Sequence, residues 1–184
     1  MFVSDELRDR AERFGDRVAV RVDGVSEMSF AEWDRRANAV ARGLRSAGAR
    51  KGERVALLMT NDAACALQVT YVAVLRAGAV AVLVNPRYAS REIEHVLTDS
   101  GATAVVTAGD QTSRATELPR RPHACAVLPY ADLVDRDDSP FHVDVDGGEP
   151  ADIFYTSGTT GLPKGVVSTH DPGSPPLSER MTPF

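Results

Sequence analysis

The hydrophobic positions between residues 29 and 48 recur every three or four residues, which is typical of one face of an amphipathic helix. This stripe consists of Phe30, Trp33, Ala37, Val40, Ala41 and Leu44. Ser29 and Glu32 have the spacing of a capping box, and Gly48 is a residue type that commonly ends helices. We therefore predict a helix between Ser29 and Gly48, with Trp33 anchoring its apolar face in the core.

Short, uniformly apolar runs alternate with further helical stretches after this helix. Buried strands are predicted at residues 55–59, 80–84 and 104–107. One intervening helix is predicted to start at Asn61 or Asp62, and a second to be capped by Ser90 and to end at Gly101. Uniformly apolar strands that alternate with helices indicate an α/β fold, a mostly parallel sheet flanked by helices on both faces.

The remaining segments give weaker patterns. A helix is predicted at 3–14, strands at 17–22, 124–128 and 152–156, and a helical turn at 130–134. The segment at 136–152 is acidic and rich in turn-forming residues. A metal site is possible there, but a solvated surface connection is the more common outcome for such a composition.

Composition narrows the function classes. The chain has 184 residues and a net charge of −5, which argues against a nucleic-acid-binding surface. The N-terminus lacks the apolar block of a signal peptide, and Arg76 and Gly78 interrupt the apolar stretch at 63–84, so no integral membrane segment is predicted. Cys65 and Cys125 form no CxxC motif, and both are predicted to be core thiols of a cytoplasmic protein.

One polar, glycine-rich segment has candidate chemistry: YTSGTTGLPKGVV, at residues 155–167. Gly158 and Gly161 can adopt positive φ, so successive N–H groups can converge on an anion, phosphate above all. Lys164 adds a positive charge. Three side chains add hydroxyl donors: Ser157, Thr159 and Thr160. The spacing fits neither a Walker A loop nor a dinucleotide fingerprint, and composition alone leaves a flexible, solvent-exposed turn as the alternative.

This segment resembles the signature loop of the AMP-forming adenylate synthetases, which include acyl-CoA synthetases, nonribosomal adenylation domains and luciferases. Upstream segments resemble the same family in order and spacing: SFAEWDRRANAVARGLRSAG, GERVALLMTN, AVLRAGAVAVLVNPRY and EIEHVLTDSGATAVV. The resemblance covers roughly residues 15–170. It implies the N-terminal part of the adenylate-forming fold, followed at residues 171–184 by a proline-rich tail that we predict to be disordered.

The resemblance also implies a reaction. Family members join a carboxylate to ATP, release pyrophosphate, and then transfer the acyl group to a thiol, often that of coenzyme A, with Mg²⁺ as a metal cofactor. In the family this loop binds the β- and γ-phosphates of ATP. The residues carried over as phosphate ligands are Thr156, Ser157, Gly158, Thr159, Thr160, Gly161 and Lys164. Gly165 is expected to let the chain leave the loop, and His170 to lie on the surface.

Three functional hypotheses follow. The family's adenine, ribose and magnesium motifs and its catalytic lysine are not found in residues 165–184. The first hypothesis is therefore an N-terminal fragment of a carboxylate–CoA ligase, in fatty acid or related metabolism, that is inactive alone. The second is one half of a split enzyme that needs a C-terminal partner chain. The third is a noncatalytic module that binds nucleotide or polyphosphate.

Overall fold

The computed structural model describes residues 3–120, 122, 125–156 and 161–170. Within these residues lie five α-helices: α1 (Val3–Phe14), α2 (Phe30–Ser46), α3 (Ala64–Arg76), α4 (Ser90–Asp99) and α5 (Gln111–Thr116). The strands are β1 (Val18–Val22), β2 (Ser26–Ser29), β3 (Arg54–Leu58), β4 (Val80–Leu83), β5 (Ala104–Thr107), β6 (Ala126–Pro129), β7 (Pro150–Thr156) and β8 (Lys164–Thr169). Single 3₁₀ turns occupy Asn61–Ala63 and Tyr130–Leu133.

The main sheet has six strands in the order β6-β5-β3-β4-β7-β8. All neighbouring pairs are parallel except β7 and β8, which form an antiparallel pair at one edge. β1 and β2 form a separate antiparallel pair. The predicted α/β class with a mostly parallel sheet is therefore confirmed.

Alternate residues of β3 enter two different cores because successive side chains of a strand point to opposite faces. Val55 and Leu57 belong to the core that α2 and α3 cover, whereas Ala56 and Leu58 belong to the core that α4 and α5 cover. Burial on both faces explains why these strands are uniformly apolar in the sequence.

One predicted helix cap is confirmed and two are wrong. α3 begins at Ala64 with Ala63 as its N-cap, because Asn61 and Asp62 lie in the preceding 3₁₀ turn. Ser29 is the N-cap of α2, and its Oγ accepts the N–H of Glu32 at 3.2 Å. For α4 the N-cap is Ala89 and not Ser90. The Glu92 carboxylate accepts the Ala89 N–H at 2.7 Å, so the first turn is stabilised by a residue inside the helix. Trp33 packs against the core but remains partly exposed.

Three elements had no prediction: β2, α5 and β8. α5 is one short helix in a polar segment, and β8 begins at the lysine of the glycine-rich motif, where the sequence indicated only a loop. Cys65 and Cys125 are buried, as predicted. In the part of the chain that the structure describes, no helix is long and apolar enough to cross a membrane.

Candidate functional site

The carboxyl ends of five parallel strands meet at one edge of the main sheet. These ends are Leu58, Leu83, Thr107, Pro129 and Thr156. In open α/β sheets ligands bind at this edge, where the loops that follow the strands converge. The glycine-rich segment directly follows β7, so the fold brings it to the edge at which a ligand is expected.

Thr156 and Lys164 face each other as the last cross-strand pair of β7 and β8. The chain between them is therefore a hairpin connection whose two ends are fixed by the sheet. Thr156 is half-buried, and Gly161 and Lys164 are exposed. No ion pair links Lys164 to another residue among those described. The other four predicted phosphate ligands lie outside the described residues: Ser157, Gly158, Thr159 and Thr160.

Gly165 lies within β8 opposite Tyr155, directly after Lys164, and its role in letting the chain leave the loop stays a prediction. A Cβ at this position would lie 3.1 Å from Cζ of Tyr155 and 3.0 Å from Cγ2 of Ile153. The absence of a side chain therefore leaves room for the Tyr155 ring beside β8. A Cβ would fit here only if the side chains of Ile153 or Tyr155 shifted, and the φ of Gly165 is not in the left-handed region.

Helix α4 and the segment before it contact both ends of the hairpin. Nε2 of His95 lies 2.9 Å from the carbonyl oxygen of Pro163, one residue before β8. The Tyr155 hydroxyl donates to Oδ2 of Asp99 at 2.6 Å, and the Tyr88 hydroxyl donates to the Tyr155 carbonyl at 3.3 Å. Burial, and then the Asp99 carboxylate, raise the pKa of Tyr155, so its O–H stays available as a donor at neutral pH.

Sequence reasoning missed these supporting residues. His95 and Asp99 are four residues apart on α4 and so share one face of the helix. The apolar residues of α4 indicated only its packing on the sheet. The spacing of His95 and Asp99 was the available signal, but the partner of that face is distant in sequence.

A second polar group lies farther along the β7–β8 pair. The Tyr71 hydroxyl donates to Oδ2 of Asp152 at 2.8 Å, and Asp152 is 6% exposed. His170 is 8% exposed, so the expectation of a surface histidine is wrong. Its backbone N–H donates to the Glu149 carbonyl at 3.1 Å, which continues the pairing of this strand edge past β8. Burial lowers the pKa of His170, and the carboxylates of Glu149 and Asp152 oppose that shift.

The described residues contain no group of three or more His, Cys, Asp or Glu side chains that could hold a metal ion. The acidic segment at 136–152 has no helix or strand before Pro150, and Nε2 of His142 lies 3.3 Å from Oδ1 of Asp144 within it. The interpretation of this segment as a surface connection agrees with the exposed carboxylates before β7, whereas Asp152 is buried in β7.

The sequence profile of AMP-binding enzymes matches residues 7–173. Feruloyl-CoA synthase of Amycolatopsis sp. is 36% identical over 161 residues, which are 88% of this chain and 32% of that protein. Surfactin synthase subunit 3 of Bacillus subtilis is 35% identical over 143 residues, 78% of this chain and 11% of that protein. The chain thus spans about a third or less of the length of these relatives.

Solved structures agree with the sequence relatives. The N-terminal domain of FACL13 from Mycobacterium tuberculosis, solved with an inhibitor, superposes with a TM-score of 0.82 and 31% identity, covering 92% of this chain and 44% of that one. The N-terminal subdomain of NpsA from Klebsiella oxytoca, in complex with 3-hydroxybenzoyl-AMSN, gives a TM-score of 0.75 at 28% identity, with 92% and 41% covered.

Proposed function

Because the chain belongs to the family of AMP-binding enzymes, we propose that it carries the phosphate-binding loop of an AMP-forming carboxylate–CoA ligase. The family match confirms the resemblance that the TSGTTG motif and the upstream segments indicated. The relatives include both CoA ligases and peptide synthetases, so ligase chemistry is common to them, whereas the thiol acceptor and a role in fatty acid metabolism remain predictions.

In the proposed reaction a carboxylate oxygen attacks the α-phosphorus of ATP. A new P–O bond gives the acyl-adenylate, and the bond to the β-phosphate breaks with its electron pair leaving on pyrophosphate. Charge therefore develops on the departing phosphates. Donors that are already aimed at that position lower the barrier without further reorganisation.

The observation that carries this proposal is the position of Lys164. It is exposed, it lies at the carboxyl edge of the sheet, and its pairing with Thr156 closes the hairpin that contains the hydroxyl and glycine residues. An ammonium group held there can reach the β- and γ-phosphates of a nucleotide bound at this edge. The proposed ligands are Thr156, Ser157, Gly158, Thr159, Thr160, Gly161 and Lys164.

Magnesium, when bound, would share the negative charge of the phosphates. Mg²⁺ is usually held by substrate phosphates together with one or two carboxylates. The described residues offer no cluster of metal ligands, and we assign none of them to magnesium or to coenzyme A. The part played by this chain is to bind and orient the outer phosphates.

Substrate selection and the second half-reaction are proposed to depend on residues beyond the matched region, since the chain covers about a third of the feruloyl-CoA synthase and under half of the aligned N-terminal domains. We expect the chain alone to be inactive in pyrophosphate exchange with ATP and a panel of carboxylic acids. A split enzyme, in which a separate chain supplies those residues, is supported by the same coverage. Robust turnover by the purified chain would contradict the proposed inactivity.

The chain has two lysines, Lys51 and Lys164, which permits a direct test of the loop. Lys51 pairs with Glu149 at 2.9 Å and lies before β3, at the opposite edge of the sheet. ATP or tripolyphosphate should protect Lys164, and not Lys51, from an amine-acylating reagent, as read by mass spectrometry. Lys164→Ala should weaken calorimetric binding of either ligand, and Lys51→Ala should not. Equal labelling of both lysines with and without ligand would contradict the phosphate-loop assignment.

A further inference from the structure

We propose that α4 braces the phosphate loop, with His95 and Asp99 as positioning residues that hold its two ends at a fixed separation. This inference rests on the proposed function for its ligand, but the brace itself consists of contacts among described residues. His95 contacts the end of the loop that leads into β8, and Asp99 contacts the residue that precedes Thr156.

The contact of His95 with Pro163 is directional. A carbonyl oxygen can only accept a hydrogen bond, so Nε2 of His95 must carry the proton that is shared at 2.9 Å. Pro163 is buried, and proline has no N–H of its own for a neighbouring strand to bind. His95 therefore fixes the chain one residue before Lys164, at the point where the sheet ladder begins.

The contact of Asp99 with Tyr155 fixes the opposite end. The Tyr155 ring lies beside Gly165, its hydroxyl reaches Asp99, and its ring meets that of His95 edge-on, with centroids 6.5 Å apart and an interplanar angle of 89°. Both contacts thus come from one face of α4 and share the Tyr155 ring. Movement of either loop end would disturb the other.

The segment before α4 is itself held in place. Arg114 of α5 donates to the carbonyl of Pro86 at 2.5 Å and also to the carbonyl of Tyr88. Tyr88 in turn donates to the Tyr155 carbonyl. A series of hydrogen bonds therefore runs from α5 through residues 86–88 to β7. Such support lets a binding loop keep its geometry before the ligand arrives, which lowers the ordering cost of binding.

Hydrogen exchange of the segment 161–166 tests the brace without any ligand. His95→Leu removes the donor and should speed exchange of these amides by about fivefold, the effect of one lost net hydrogen bond. His95→Gln can still donate to the Pro163 carbonyl and should restore most of the protection.

Asp99→Leu should also speed exchange of these amides. Asp99→Asn still accepts from Tyr155 and should leave exchange unchanged. His142→Leu is the matched control, because His142 is exposed and lies in the acidic connection, near the C-terminal end of α3.

Affinity then tests the positioning role. The dissociation constant for Mg²⁺–ATP or tripolyphosphate should rise about fivefold in His95→Leu and return to within about twofold in His95→Gln, with the global urea midpoint matched between the two. Unchanged exchange in both His95→Leu and Asp99→Leu would overturn the brace. Faster exchange with unchanged affinity would overturn the positioning role. A wild-type chain that binds neither ligand would instead refute the proposed function, and exchange alone would then decide the brace.

Discussion

Nη2 of Arg76 lies 2.5 Å from Oδ1 of Asp34, in the interface between α3 and α2. The Arg76 side chain is completely buried, whereas that of Asp34 keeps 15% of its surface. Nη1 of Arg76 also donates to Oδ1 of Asn38 at 2.7 Å, and that oxygen accepts the N–H of Phe141 at 3.2 Å. The pair therefore joins two helices to the acidic connection before β7. Burial lowers the pKa of Arg76, and Asp34 opposes that shift.

Removing Asp34 should destabilise the fold because the buried Arg76 guanidinium loses the carboxylate that lies 2.5 Å from its Nη2. We expect Asp34→Ala to lower the free energy of unfolding by about 3 kcal/mol in urea titrations. The double variant Asp34→Ala/Arg76→Met should be more stable than Asp34→Ala, since it also removes the buried positive charge that Asp34 stabilised. Glu27→Ala breaks the exposed pair with Arg21 and should change stability by less than about 0.5 kcal/mol. A double variant no more stable than Asp34→Ala would contradict this account.

Gly43 is a helical position at which alanine should destabilise the chain, although alanine is usually preferred over glycine inside a helix. Gly→Ala at an open helical position stabilises by about 1 kcal/mol. A Cβ on Gly43 of α2, however, would lie 1.9 Å from the backbone oxygen of Leu133, and backbone cannot rotate away. Gly43→Ala should therefore destabilise the chain by about 3 kcal/mol or more.

The matched control for this substitution is Gly148→Ala. Gly148 is exposed, a Cβ added to it would have no other heavy atom within 4 Å, and its φ is not positive. We expect a change in the free energy of unfolding within about 0.5 kcal/mol there. Similar unfolding midpoints for the two variants would show that α2 and the Leu133 turn are not in close contact.

Tyr71 should make the fold sensitive to alkaline pH. Burial raises the pKa of Tyr71, and Asp152 raises it further. Above about pH 10 the unfolded chain loses the phenolic proton while the folded chain keeps it, so stability falls as pH rises beyond that point. Tyr71→Phe should reduce this fall by at most about 1.4 kcal/mol per pH unit, measured by urea unfolding between about pH 9 and 11. A slope equal to that of the wild type would contradict the prediction.

His170 should make the stability of the fold depend on pH in the acidic range. Its folded pKa lies below the ordinary value of 6.5, so the unfolded chain binds the proton first as pH falls. The stability that His170 contributes is therefore present above about pH 6.5 and is lost below it. His170→Gln should make the stability profile between about pH 7 and 5 flatter than that of the wild type. His142→Gln removes an exposed histidine and serves as the control; an equal flattening in both variants would argue against the buried site.

Sequence patterns predicted helices and strands correctly where a single local pattern, such as hydrophobic spacing, specified the element. The stripe on α2 and the Ser29 cap are local, so they could be recognised from spacing alone. Ser90 failed as a cap because Ala89 adopts the extended conformation before α4 and Glu92 supplies the hydrogen bond instead. β8 was missed because the glycine-rich motif, which includes its first residues, indicated a loop, and its pairing with β7 is not visible in the sequence.

The sequence by itself determined the α/β class, the two-sided burial of the central strands and the family, because hydrophobic period and the TSGTTG motif are local properties of the chain. The tertiary structure alone decided that Tyr155 packs beside Gly165, that Asp99 and His95 contact the two ends of the loop, and that His170 is buried. These contacts join residues up to 68 positions apart. No local pattern specifies them, because they depend on how strands and helices pack after the sheet has formed.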